Sequence, residues 1–398
     1  MNFLWGIFGI LVVLSIAFLF STKKKAINLR TILGGLSIQI FFAFIVLKWE
    51  TGREGLKWFT LRVQDVIDYA NEGIGFLFGS LANSDEFGTI FAFHILPIII
   101  FFSALISVLY YLGIMQWFIK IVGGGLAKLL GTSKSESMSA AANIFVGQTE
   151  APLVVRPFIA KMTNSELFAV MTGGLASVAG SVLIGYSLLG VPLEYLLAAS
   201  FMAAPAGLIM AKIMIPETEK SETTDKIELE KDSDTVNVID AAAKGASDGL
   251  SLALNVGAML LAFIALIALI NGILGIFGGI TLQDILGYIF SPLAFAIGVP
   301  WSEAVTAGSF IGQKIVLNEF VAYADFALEM DSLSAKTNLI VSFALCGFAN
   351  LSSMAILLGG LGSLAPNRRK DIARLGIRAV AAGVLASLLS AAVAGMFF

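Results

Sequence analysis

Apolar residues run without a charge through nine stretches: 3–20, 31–47, 87–119, 167–193, 195–211, 249–283, 285–302, 339–367 and 379–398. None alternates with the period of two that a half-lipid-exposed strand requires. Most approach or exceed the roughly 20 residues that carry a helix across a bilayer core. A lipid-exposed open strand would leave backbone groups unpaired, so these stretches predict transmembrane helices. The run at 3–20 has no basic leader before it and no Ala-x-Ala site after it, so it reads as a first span rather than a signal peptide.

The basic residues orient these spans. Nineteen of the 25 Lys and Arg fall in four segments, 21–30, 120–161, 212–244 and 368–378. If all four are cytoplasmic, the positive-inside rule is met by one threading with eight crossings and both termini outside. The third crossing is expected near Pro97–Ile119, the fourth at Leu167–Leu193, the fifth at Tyr195–Ala211, the sixth near Leu252–Ile276 and the seventh at Leu339–Leu361. Two segments, 120–161 and 285–337, then begin and end on one side, and each is long enough for a re-entrant hairpin. Residues 61–81 place Val63, Val66, Ile67, Ala70 and Ile74 at helical spacing opposite charged side chains, the pattern of an interfacial helix on the outer surface. The mixed-charge stretch 217–234 reads as a solvated loop.

Composition narrows the function. Apolar residues make up 58% and charged residues 13%, against about half and a quarter in soluble domains, and the mean hydropathy is +0.90. One cysteine, Cys346, excludes a disulfide framework, and one histidine, His94, excludes a multi-histidine metal site. No phosphate loop or Ser/His/Asp arrangement is present, which argues against an ATP-driven pump and against an enzyme.

The chain also repeats itself. Ser135-Glu136-Ser137-Met138-Ser139-Ala140 answers to Ser302-Glu303-Ala304-Val305-Thr306-Ala307, Glu150 to Glu319, Thr163-Asn164 to Thr337-Asn338, and Gly174-Leu175-Ala176-Ser177 to Gly347-Phe348-Ala349-Asn350. The threading sets the two copies on opposite sides, an inverted repeat of the kind that secondary transporters build around a midplane site. The predicted fold class is an all-α integral membrane protein with eight transmembrane helices, two opposed re-entrant hairpins, and discontinuous helices 4 and 7. Its parts are 1–86 (helices 1 and 2 with the outer interfacial helix), 87–216 (first repeat), 217–248 (cytoplasmic charged loop) and 249–398 (second repeat).

Each hairpin carries an acid where the chain should turn: Gly147-Gln148-Thr149-Glu150-Ala151-Pro152 and Asn318-Glu319-Phe320-Val321-Ala322-Tyr323. A carboxylate at membrane depth costs about 2.5–3.5 kcal/mol and therefore calls for a partner. A plainer alternative is that Glu150 and Glu319 cap half-helices. The amide of Gln148 and the hydroxyl of Thr149 suit a flat polar ligand. Small and polar residues interrupt helix 4 at Gly173–Ser181 and helix 7 at Cys346–Ser353, the mark of discontinuous helices or of close helix packing. Asn350 and Ser353 are candidates for ligand contact, and Phe348 offers an aromatic face. His94 and Cys346 read as interfacial and packing residues.

These motifs, with Gly347-Phe348-Ala349-Asn350-Leu351-Ser352-Ser353, strongly resemble the concentrative nucleoside transporter family, and the resemblance runs from Lys25 to the C-terminus. It looks like a bacterial member of the sodium-coupled type. The resemblance implies a homotrimer in the bacterial inner (plasma) membrane, importing nucleosides of the uridine, cytidine and adenosine class by Na+ symport. It implies an elevator-like movement of the hairpin domain, with no nucleic-acid partner and no cofactor beyond the coupling ion. It implies that Gln148, Thr149, Glu150 and Val182 meet the nucleobase, that Glu319, Asn350 and Ser353 bind the ribose, and that Phe348 and Leu252 pack on the ligand. It places Na+ at Asn143, Val146, Ser177 and Val178. Proton-coupled relatives can lack the Asn143 amide, so its presence favours sodium; an H+-coupled symporter of the same fold is the alternative.

Overall fold

A computed structural model describes residues 2–82, 90–223, 235–276 and 278–398, and all the regular structure among them is helical. The first two spans are α1 (Asn2–Leu19) and α2 (Leu29–Ala43), the latter continuing through a π turn at Phe44–Lys48. The amphipathic segment forms α3 (Glu50–Phe78), longer than the pattern at 61–81 indicated, and buries Ile67, Ala70 and Ile74.

Two successions of the same elements follow. The first is α4 (Leu96–Tyr111), α5 (Ile114–Leu130), α6 (Lys134–Ala142), a short 3-10 and helical arm across 151–159, α7 (Asn164–Ala176), α8 (Gly180–Leu188) and α9 (Leu193–Met214). The second is α10 (Val238–Ile276), α11 (Leu282–Ala296), α12 (Trp301–Val316), α13 (Glu319–Glu329), α14 (Ala335–Leu345), α15 (Leu351–Leu364) and α16 (Arg369–Met396). The pairs α7/α8 and α14/α15 are the discontinuous helices 4 and 7. Among the described residues seven stretches are long and apolar enough to cross a membrane; α11 and α12, bent by 116°, form a broken span or a re-entrant loop, and α14 and α15 are shorter apolar helices.

Three expectations change. The third span ends at Tyr111 rather than Ile119, because Gly113 takes a left-handed φ of 81° and starts a separate helix. The segment 217–248 is not loop throughout: its end from Val238 already belongs to α10, while 224–234 lies outside the described residues. The repeat is in register at its start, where Glu136 and Glu303 both sit third in their helices, but two later matches slip. Thr163 caps α7, whereas α14 is capped by Ser334, with Thr337 three residues further on. Gly174 lies in the last turn of α7, whereas Gly347 lies in the gap between α14 and α15. That gap spans 346–350 against 177–179 in the first copy, and α7 is longer than α14 by two residues, so the starts of α8 and α15 realign.

Small residues set the packing. Gly245 and Gly249 of α10 lie against Ser107 and Ser103 of α4, where an added Cβ would come within 2.5 and 2.7 Å of their Cβ atoms. Gly6 of α1 meets Met396 of α16, and Gly35 of α2 meets Ile209 of α9. Membrane helices gain no hydrophobic drive from lipid, so close backbone approach of this kind supplies the attraction. The helices divide into an interior and a frame: α9 and α16 are almost wholly buried, whereas α10 exposes Leu254, Leu261, Leu269 and Ile276.

Candidate functional site

The first hairpin has α6 and the 151–159 arm as its limbs and 143–150 as its tip. A capping box of Ser133 and Glu136 starts α6, and Lys212 reaches Glu136 at 2.6 Å. At the other end Asn143 is the C-cap. Its Nδ2 donates to Ser139 O at 2.9 Å, but its Oδ1 is buried with no hydrogen-bond partner. Gly180 N donates to Phe145 O at 2.8 Å, tying the tip to the start of α8. Val146 and Gln148 are buried, and Gln148 Oε1 also has no partner. Thr149, half-buried, lies over Gly360 of α15.

Beside this tip α7 stops. Ser177 is its C-cap, with extended backbone, and Ser177 Oγ donates to Gly173 O at 3.1 Å. Ser177 and Val178 are buried, and Asn143 Nδ2 lies 3.2 Å from where a Cβ on Gly173 would stand. The helix end presents carbonyls that lack intrahelical donors, and the Asn143 side chain, whose oxygen has no partner, lies beside α7 at Gly173. That is a set of hard oxygen acceptors of the kind that binds a small cation.

In the second hairpin, α12 and α13 are the limbs and Leu317–Asn318 the turn between them. Gln313 Nε2 holds the limbs together through Asp325 Oδ2 at 2.6 Å. Asn318 caps α13 by accepting from Val321 N at 2.9 Å, which leaves the next residue, Glu319, free to face the core. Glu319 is 4% exposed. Tyr186 OH donates to Oε1 at 3.1 Å and Asn350 Nδ2 donates to Oε2 at 2.8 Å. Asn350 in turn caps α15 by accepting from Ser353 N at 2.8 Å, with Ser352 Oγ also donating to it. A carboxylate has about four acceptor positions, so two remain for a ligand.

The two halves meet where both helices break. Phe348 N, in the gap of helix 7, donates to Ser177 O, in the gap of helix 4, at 3.0 Å. Gly347 makes this crossing possible: its φ is 154°, and an added Cβ would come within 2.9 Å of Ala176 O. The sequence candidates therefore fall into two linked groups, Glu319, Asn350 and Ser353 on one side, and Asn143, Val146, Gln148, Thr149, Ser177 and Val178 on the other. Phe348 bridges them. Val182 is buried one turn before Tyr186 on α8, and Leu252 is half-buried on α10, which packs against α13.

Glu150 departs from expectation. The demand that an acid at the tip be kept from water holds for Glu319 but not for Glu150, which is exposed. Its Oε2 folds back over Gly147, 2.5 Å from where a Cβ would be. Glu150 is the N-cap of the short 3-10 helix at Ala151–Val155 rather than a residue inside an α-helix.

Three buried polar residues were not singled out from the sequence. Tyr186 stacks on Tyr323 with ring centroids 4.3 Å apart and packs on Phe320 at 4.7 Å, and Tyr323 OH donates to Ser342 O at 2.7 Å. The third is Lys314. A tyrosine in an apolar run carries no pattern of its own, whereas Lys314 is the only charge across 304–318, and an intramembrane ionisable residue is a signal in itself.

Two crossed, broken helices and two hairpins around shared polar groups define a secondary transporter by architecture. Comparison with known proteins identifies the family. Residues 8–81 match the N-terminal model and residues 195–395 the C-terminal model of the Na+ dependent nucleoside transporters. Residues 92–192 match a nucleoside recognition (gate) model. The nucleoside permease NupC of Helicobacter pylori is 51% identical over 99% of this chain and 97% of its own. The solved structure of CNTnw in an inward-facing substrate-bound state is 57% identical, with a TM-score of 0.96 over 99% of this chain and 98% of that one. A doubly substituted CNTnw in an outward-facing state has a TM-score of 0.97 at 56% identity, over 100% of this chain and 98% of that one. The chain belongs to the concentrative, Na+-dependent nucleoside transporter family. It is a multi-pass membrane transporter and not an enzyme, and its fold is one that relatives adopt in both inward- and outward-facing states.

Proposed function

We propose that this protein imports nucleosides of the uridine, cytidine and adenosine class by Na+ symport across the bacterial inner membrane, with both termini outside. The observation that carries the reading is the Glu319–Asn350–Tyr186 cluster, a buried carboxylate with two donors and spare acceptor positions at the crossing of the broken helices. A ribose offers two adjacent hydroxyls, and hydroxyl-to-carboxylate hydrogen bonds are among the strong ones. Ser353 completes the ribose side, while Gln148, Thr149, Glu150 and Val182 meet the base and Phe348 and Leu252 pack on it. Glu150, standing in accessible space, can turn toward a base without first breaking a buried contact. A site built on buried polar groups rejects a sugar lacking a hydroxyl, because its own groups are then unpaired.

Sodium binds beside the first tip, at Asn143 Oδ1, Ser177 and the carbonyls of Val146 and Val178. The unpartnered oxygen of Asn143, the C-cap of α6 beside α7, supports this ion. The apolar residues exposed on α10 support a homotrimer with α10 in its frame. Against that frame the hairpins, with α7–α9 and α14–α16, would move as an elevator.

The test is uptake of radiolabelled uridine into proteoliposomes. An inward Na+ gradient is expected to drive accumulation, and a pH gradient in sodium-free buffer is not. Accumulation driven by the pH gradient alone would replace sodium with the proton.

A further inference from the structure

Lys314 lies in the last turn of α12 and is 1% exposed. An ammonium buried so deeply is costly unless its hydrogen bonds are met. Its Nζ donates to Ala344 O at 2.8 Å and to Ser387 Oγ at 2.9 Å. Ala344 is the penultimate residue of α14, so the charge rests on the C-terminal end of a half-helix, where unpaired carbonyls and the helix dipole favour a cation. Ser387 extends the contact by donating to Cys346 O, the C-cap of α14, at 3.1 Å.

This is the place that, by the internal repeat, corresponds to the end of α7. There, among the described residues, no Lys or Arg donates to a carbonyl of 173–178, and Asn143 Oδ1 is left without a partner. Each repeat thus brings a hairpin limb against the broken end of the partner helix. In one repeat the limb delivers a covalently attached cation; in the other it delivers an unfilled amide oxygen. Lys314 and Glu319 lie on the two limbs of the same hairpin, so the second hairpin carries both an acid and a base.

We propose that the Lys314 ammonium is the resident counterpart of the exchangeable coupling cation. It is a positioning residue that fixes the end of α14, and through the 346–350 gap sets Asn350 against Glu319, so that the second repeat needs no transported ion. The proposal rests on the reading of the α7 end as the sodium site.

The experiment uses full-length protein in proteoliposomes with radiolabelled uridine, sodium and methylammonium. Lys314→Met keeps the length and apolar stem of the side chain but removes the charge. Its KM for uridine is expected to rise about tenfold, the size of one lost charge-assisted hydrogen bond. Lys314→Ala opens a space that methylammonium fits, and added methylammonium is expected to restore the uptake of this variant while leaving the parent unchanged. An unchanged KM in Lys314→Met, or no rescue of Lys314→Ala, would overturn the proposal, since a merely space-filling lysine responds to neither. If the Met variant fails to reach the membrane, thermal unfolding of detergent-solubilised Lys314→Ala decides: stabilisation by methylammonium over choline supports the proposal, and equal curves overturn it. Asn143→Ala, measured in parallel, reads the sodium site alone; an unmoved sodium half-saturation there defeats the coupling reading whatever Lys314 does.

Discussion

The two hairpins have the same plan and opposite electrostatic finish. In the second, Glu319 has a donor on each oxygen, Lys314 is seated on a helix end, and Gln313 and Asp325 tie the limbs, while Gln313 Oε1 and Asn318 Nδ2 lack partners. The first is open: Glu150 is exposed, and the side-chain oxygens of Asn143 and Gln148 have no partner. A buried acceptor without a donor costs about 1–3 kcal/mol. The second repeat thus holds its own cation at the helix end and offers Glu319 to a ligand, while the first, among the described residues, has no basic side chain on its helix end.

The sharpest way to break this comparison is Glu319→Gln. The amide sets an NH2 group against donors from Tyr186 or Asn350 and surrenders the charge that grips a ribose. Uridine affinity is expected to fall roughly 10- to 100-fold, matching the 1.5–3 kcal/mol of a hydrogen bond to a charged group. Isothermal titration on the purified protein checks this, and near-parental affinity would remove Glu319 from the site. Asn143→Ala probes the open half and should raise the sodium half-saturation about tenfold, read from uptake against external Na+, with a smaller change in uridine KM at saturating sodium. The mildest is Tyr186→Phe, which deletes one of two donors to Glu319 but keeps the stack on Tyr323. A two- to fivefold rise in KM is expected, about 0.5–1 kcal/mol, without any change in sodium dependence. A sodium shift in Tyr186→Phe larger than that in Asn143→Ala would mean that the halves are not separable.

Much of the site was legible because its parts are local. Glycine and proline around Gln148–Glu150, and the lone acid in Asn318-Glu319-Phe320, announce chain turns at membrane depth. The limits were local as well. Gly113 ends the third span within an unbroken apolar run, since a glycine in left-handed conformation terminates a helix without changing hydropathy. The repeat matches at Thr163/Thr337 and Gly174/Gly347 slipped, because residue likeness does not record that one gap is longer than the other. Tyr186 escaped notice because its hydroxyl acquires a role only when α8 is laid against α13.

Hydropathy, charge bias and chain breaks are properties of neighbours along the chain, and they suffice for a helical membrane protein with two inverted repeats, two interrupted helices and an acid at each hairpin tip. Which acid is sheltered, which amide oxygen lacks a partner and where Lys314 rests follow from how the helices pack. Burial and pairing depend on residues more than a hundred positions apart, such as Tyr186 and Glu319, and no periodicity along the chain records that distance.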